Sequence, residues 1–352
     1  MTDVLAVANQ KGGVAKTTTV HSLGVASAEL GRRTLVVDLD PQACLTFSLG
    51  FDPDNLESSL HDVFVRRQSV AEVALAVPGV PGLDVLPSTI DLAGSEVHLL
   101  TRTGREHVLA RALEPVLDRY DLILIDCPPS LGVLTINGLT AARSVLIPLQ
   151  CEALSHRGVG QLLETIEDVR AFANSELNVR GIIATMYDDR TKHSRHIFEE
   201  VQTRYGIPVL QPPVRKSIRF AEAPARGKSI LQHAPNSPGA QAYRALAASL
   251  LEPGVVAGAP IGWLTVPTRS ASGRSTGCRS RLRPRSIATT ARASEATTSR
   301  SRRGTPGPPA GTPCSPMRPR PMSPTQIGPR PRGATRCRLG ASSRSPARVA
   351  DR

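Results

Sequence analysis

After Pro253 the 352-residue chain contains no lysine and only two acids, Glu295 and Asp351, beside 19 arginines. The preceding residues carry 24 Lys+Arg against 28 Asp+Glu, so the formal charge of +13 belongs to the tail. The tail also lacks sustained apolar periodicity and is crowded with Pro, Ser, Thr, Gly and Arg, a composition that cannot bury a core. The chain therefore divides into an α/β domain, 1–253, and a basic tail, 254–352, for which disorder is predicted. Three readings of the tail stay open: an Arg-rich arm that adds electrostatic affinity for DNA, a passive linker, or the product of translation in a shifted frame. The abrupt end of patterning and the exclusive use of arginine favour the last.

Cysteine is equally unpatterned. Cys44, Cys127 and Cys151 fall in the domain and Cys278, Cys314 and Cys337 in the tail, with no CxxC or Cys/His spacing, which excludes a zinc site and a disulfide framework. Such usage fits a reducing cytoplasm. No apolar run approaches the about 20 residues of a membrane span, and no signal-peptide pattern precedes the first strand. The expectation is a soluble cytoplasmic protein.

What the domain has is a phosphate cradle with two lysines. Lys11, Gly12, Gly13, Val14, Ala15, Lys16, Thr17 and Thr18 follow an apolar segment, Val4 to Ala8, and open a run of helix formers. A strand that turns tightly into a helix N-terminus offers backbone N–H groups and a positive dipole end to one anion, here a nucleotide triphosphate. The strict G-x-x-x-x-G-K-[ST] pattern fails, because its glycine positions hold Gln10 and Ala15. Gly12 and Gly13 supply the flexibility, Lys16 reaches the β/γ-phosphates, and Thr17 offers a hydroxyl to Mg²⁺.

Two further apolar runs end in acids: 34–39, with Asp38 and Asp40, and 122–125, followed by Asp126. Runs that are apolar at successive positions suit strands covered on both faces. Ligands gather at the C-terminal edge of parallel sheets, so the three strand ends converge on one crevice. There one acid holds a Mg²⁺-bound water and another orients the attacking water, making Thr17, Asp40 and Asp126 the candidate magnesium set. Along the domain the patterning predicts strands at 4–9, 34–39, 83–86, 122–126, 144–149, 180–186 and 208–211. It predicts helices at 17–30, 105–119, 135–142, 158–173, 193–205 and 239–251, hence a mostly parallel twisted sheet with helices on both faces. Leu23, Leu30, Leu109, Leu113, Leu117, Leu162 and Ile166 are read as core.

The sequence resembles the ParA family of partition ATPases, in its Soj-like branch. The resemblance rests on Asn9 to Thr19, Val37 to Gln42, Ile125 to Leu131, Leu134 to Asn137, Val145 to Cys151 and Phe220 to Pro224, and it covers residues 1–252. It implies a deviant P-loop ATPase that uses ATP and Mg²⁺. Lys16 and Thr17 would serve the nucleotide of their own subunit. Lys11 would reach across to the partner's nucleotide, so that an ATP-dependent homodimer completes the site. Asp40 would position water and Asp126 would sit near Mg²⁺. Arg215 and Ser217 fall where relatives line the base, and Ala43 and Cys44 stand where relatives usually carry Gly and Asn.

The resemblance also implies non-specific DNA binding, with a ParB-like centromere-binding partner that stimulates hydrolysis, and a nucleoid-associated location. Locally basic stretches support this, and Arg190, Lys216 and Arg219 are the candidate DNA contacts. A Min-type ATPase acting at a membrane or cell pole is the alternative, but it would need a basic amphipathic C-terminal helix, and Ala242 to Leu251 is short and weakly charged. A nitrogenase-iron-protein relative would need two thiolates per subunit for a shared cluster, a role for which Cys127, inside the Asp126 motif, is poorly placed.

Overall fold

A computed structural model describes residues 2–150, 155–188 and 203–251. In chain order the elements are β1 (Asp3–Val7), α1 (Lys16–Glu29), β2 (Thr34–Asp38), α2 (Cys44–Ser48), α3 (Leu60–Val65), α4 (Val70–Val73), β3 (Leu75–Ala76), β4 (Leu83–Leu86) and α5 (Leu92–Leu100). There follow α6 (Val108–Leu113), β5 (Leu122–Asp126), α7 (Val133–Ala141), β6 (Ser144–Gln150), α8 (Ser155–Phe172), β7 (Asn178–Thr185) and β8 (Val209–Leu210). Three helices close the described chain: α9 (Arg219–Glu222), α10 (Ile230–His233) and α11 (Pro238–Leu251).

The sheet runs β3-β4-β2-β5-β1-β6-β7-β8 and is parallel throughout except for the short β3, which pairs antiparallel to β4. Strands in this arrangement must be apolar on both faces, and β2 and β5 are buried at every position. Alternate residues feed two separate cores. Leu35, Val37, Ile123 and Ile125 pack on one side with residues of α3, α6, α7 and α8. Val36, Leu122 and Leu124 pack on the other with Leu23 of α1 and Tyr243 and Leu246 of α11.

The order β2-β5-β1 sets three strand ends side by side. Val7 is in register with Asp126, and Asp126 with Asp38. The loop after β1 therefore leaves the sheet beside two carboxylates, at the crevice where parallel α/β sheets bind ligands.

The seven predicted strands within the described residues are present with ends shifted by at most two residues, as are the helices from residues 17, 135 and 239, and the helix expected from 158 begins three residues earlier, at Ser155. Three expectations need correction. The helix expected over 105–119 is broken: α6 is flanked by 3-10 turns at Arg105–His107 and Glu114–Arg119, the second carrying Pro115 at its start, where proline removes a donor. Leu30 is not core; it is the C-cap of α1 and 51% exposed, because the buried part of that helix ends at Ser27. Patterning also missed α2, α3, α4, β3, α9 and α10, which are too short to show a period, and the nine-residue α5. The helix expected over 193–205, Arg190 and the tail 254–352 lie outside the described residues, apart from 203–205.

Candidate functional site

The phosphate loop is held by three side-chain ties. Asn9, 2% exposed, donates through Nδ2 to the Pro148 carbonyl at the end of β6 (2.7 Å). Its Oδ1 accepts the Lys11 backbone N–H at 3.0 Å. Thr185, at the end of β7, donates to the Val14 carbonyl at 3.0 Å. The Lys16 ammonium points back over the loop and reaches the Lys11 carbonyl at 3.4 Å.

The turn into α1 is made by Gly13 (φ 75°) and by Ala15, the N-cap, at φ 68° and ψ 37°. A left-handed alanine is strained, because its Cβ crowds the following carbonyl. No side chain caps α1, so its first N–H groups stay open to an anion. Ala43 repeats the geometry at φ 51° and caps the start of α2, three residues after Asp40.

Electrostatically the site is a buried lysine among three acids. Burial lowers the Lys16 pKa, and the nearby charges of Asp126, Cys127 and Asp40 oppose that. Asp38 is fully enclosed, and desolvation pushes its carboxyl up to about 6 despite hydrogen bonds from the Thr46 hydroxyl (2.7 Å), the Thr46 N–H (2.8 Å) and the Asp40 N–H (3.3 Å). Thr46 Oγ1 also accepts the Ser88 N–H at 2.9 Å, so Asp38 anchors α2 to the end of β4. Its role is structural.

Asp126 differs. It is 1% exposed, and neither carboxylate oxygen has a hydrogen-bond partner. Burial and the facing Asp38 raise its pKa well above the usual carboxylate range; Lys16 and the Thr17 hydroxyl pull the other way, Thr17 from a position that falls short of hydrogen-bond geometry. A buried, unpartnered carboxylate is costly, and this one stands beside a threonine hydroxyl at the mouth of a phosphate loop. That donor set fits a hydrated hard cation. Among the described residues no three His, Cys, Asp or Glu side chains form a ligand cage, which suits Mg²⁺, an ion commonly held by one or two protein oxygens, waters and substrate phosphates.

A cleft of about 1000 Å³ opens over the loop. Gly12, Gly13, Ala15, Lys16, Thr17, Thr18 and Asp40 line it together with Arg215, Lys216 and Ser217, so residues far apart in sequence meet there. Asp126 and Val14 are buried beneath it. Lys11 and Arg219 are not among its walls; Arg219 and Lys216 are exposed at the start of α9 and just before it. The sequence reading missed several wall residues: Met186, Phe47, Phe220, Tyr243, and His21, whose Nδ1 meets the Ser48 hydroxyl at 3.1 Å. Burial holds the His21 pKa down at about 4, so the ring is neutral at pH 7. Neither described thiol is activated, since burial raises both Cys44 and Cys127 and neighbouring carboxylates push the same way.

Fold and site together define a nucleotide-binding α/β protein of the phosphate-loop class. The AAA domain family model matches residues 2–179. The chain is 44% identical over 247 residues to the sporulation initiation inhibitor protein Soj of Bacillus subtilis, a match covering 70% of this chain and 97% of Soj. It is 41% identical over 250 residues to the chromosome partitioning protein ParA of Caulobacter vibrioides, covering 70% and 93%. A crystal structure of cobyrinic acid a,c-diamide synthase from Mycobacterium smegmatis, with bound ADP and magnesium, superposes with a TM-score of 0.64 at 52% identity, covering 71% of this chain and 94% of that one. The chain belongs to the ParA/Soj family of chromosome and plasmid partition ATPases.

Proposed function

We propose that this protein is an ATP-hydrolysing DNA partition switch: ATP and Mg²⁺ join two copies into a sandwich dimer that holds DNA without sequence preference, and hydrolysis, stimulated by a ParB-like partner, releases it. The observation that carries the reading is the different placement of two lysines of one loop. Lys16 is buried over Asp126 and Asp40, whereas Lys11, five residues earlier, stands outside the cleft wall with its backbone clasped by Asn9.

Lys16 would meet the β/γ-phosphates, whose charge keeps the ammonium protonated against the cost of burial. The open N–H groups at the start of α1 would cradle the same phosphates. Thr17 and Asp126 would hold Mg²⁺ and its water, and the ion would neutralise charge on the β- and γ-oxygens. Asp40, fixed at the start of the α2 turn, would orient the attacking water. Lys11 would cross to the partner's γ-phosphate and offset charge that grows during transfer. Arg215 and Ser217 would line the base side. DNA would meet Lys216, Arg219 and Arg190 through phosphate contacts that weaken steeply with salt. This reading places the protein in the cytoplasm, on the nucleoid.

Sedimentation with and without a non-hydrolysable ATP analogue, read beside retention on DNA, tests the proposal. The wild type should dimerise and bind DNA with the analogue only. Lys16→Ala should lose nucleotide binding, Asp40→Ala should keep a non-hydrolysing ATP dimer, and Lys11→Ala should bind ATP as a monomer. A Lys11→Ala protein that dimerises normally would overturn the role in trans.

A further inference from the structure

Among the described residues, helix α5 carries an apolar face with no partner. Ile90, just before it, is 63% exposed, Val97 69% and Leu100 58%, and Ala93 and Gly94 between them are exposed too. Spacings of three, four and seven residues put these side chains on one stripe of the helix, flanked by Asp91 and His98 on one side and Glu96 on the other. The inward face is complete without them, since Leu92, Ser95 and Leu99 are buried.

Three ties lay this helix along the C-terminal edge of the sheet, the edge on which the nucleotide cleft opens. Ile90 is a wall residue of that cleft. Ser95 Oγ meets His61 Nδ1 at 2.9 Å, at the start of α3, where the Leu60 N–H bonds the Pro87 carbonyl just beyond β4. Glu96 Oε1 lies 3.5 Å from where a Cβ on Gly132 would sit, in the loop that leads from Asp126 into α7. The stripe therefore begins at the mouth of the cleft, where Phe47 of α2 adds a further exposed ring (55%).

We propose that the α5 stripe is buried against a second copy of this chain when two clefts close on each other. Closing cleft on cleft brings this edge of one copy to the other, and a stripe continuous with the cleft mouth is covered by the same movement. Contiguous exposed apolar side chains are a feature of interaction surfaces, and Ile90, Val97 and Leu100 share one stripe. The inference rests on the dimer reading above, and it makes the stripe a hydrophobic component of an interface otherwise held by charges and phosphates.

The test uses the full chain with a non-hydrolysable ATP analogue in sedimentation velocity. Val97→Glu and Leu100→Glu should each weaken dimerisation at least about 10-fold while monomer affinity for the analogue stays within about 3-fold. Phe172→Glu should change neither: Phe172 is 88% exposed but lies at the end of α8, just before β7 begins on the opposite edge. The milder Val97→Ser, monitored by its melting curve, keeps the test valid if a glutamate variant fails to fold. Variants that dimerise like the wild type overturn the stripe and leave the dimer reading standing; a wild type that stays monomeric overturns both. Normal dimers that no longer respond to the partner would assign the stripe to that partner and overturn the inference.

Discussion

The buried amide of Asn9 grips the backbone of Lys11, taking its N–H at 3.0 Å while giving its own to the Pro148 carbonyl at 2.7 Å. The lysine that would act in trans is thus positioned from β6, the strand paired with its own. Asn9→Ala takes the amide partner from the buried Pro148 carbonyl and from the part-buried Lys11 N–H, which costs about 1–3 kcal/mol of stability. Its sharper effect should be on assembly: ATP affinity should stay within about 3-fold while the analogue-driven dimer weakens about 10-fold. Asn9→Asp, which keeps the acceptor for Lys11, should restore part of the dimer. Equal losses in binding and dimerisation would make Asn9 a purely structural brace.

Ala15 and Ala43 hold left-handed backbone at the starts of α1 and α2. Glycine removes the Cβ strain at a smaller entropic cost, so Ala43→Gly should stabilise the protein by about 0.5–1 kcal/mol. Ala28→Gly, inside α1, should instead destabilise by about 1 kcal/mol. Urea unfolding of both variants measures the contrast; an Ala43→Gly loss matching that of Ala28→Gly would mean the turn is not held left-handed in solution.

Asp38 keeps its proton to about pH 6 when folded and to about pH 4 when unfolded. Between those values the native state binds more protons, so the wild type loses stability through this group as pH rises from 4 to 6. Asp38→Asn has no such dependence. Its unfolding free energy relative to wild type should therefore rise by about 2–3 kcal/mol between pH 4 and pH 7. Denaturation series at pH 4, 5, 6 and 7 check this, and a flat difference would return Asp38 to the ordinary carboxylates.

Asp126 has the same sign and a second readout. Asp126→Asn replaces a buried carboxyl that lacks a hydrogen-bond partner and is costly to ionise, so the nucleotide-free protein should melt higher than wild type at pH 7. The gain in ATP affinity on adding Mg²⁺ should fall about 10-fold or more, as titrations with and without EDTA would measure. An unchanged Mg²⁺ effect would remove Asp126 from the metal's surroundings.

The sequence alone determined the elements whose signal is local and strong. Runs such as 122–125, apolar at every position, suit strands covered on both faces, and a lysine-bearing loop between a strand and a helix suits an anion. Strand order, and with it the register of Asp38 on Asp126, was decided by packing between segments nearly ninety residues apart, as were the elevated carboxyl of Asp38 and the unpartnered one of Asp126. Asn9 as a clasp and the exposed stripe of α5 were equally invisible in the chain. One depends on where the end of β6 falls, and the other on which face of a short helix the rest of the fold leaves uncovered. Local backbone preference writes periods and turns into the sequence, whereas burial, the quantity that moves a pKa or makes a surface available, exists only once distant segments have closed around a residue.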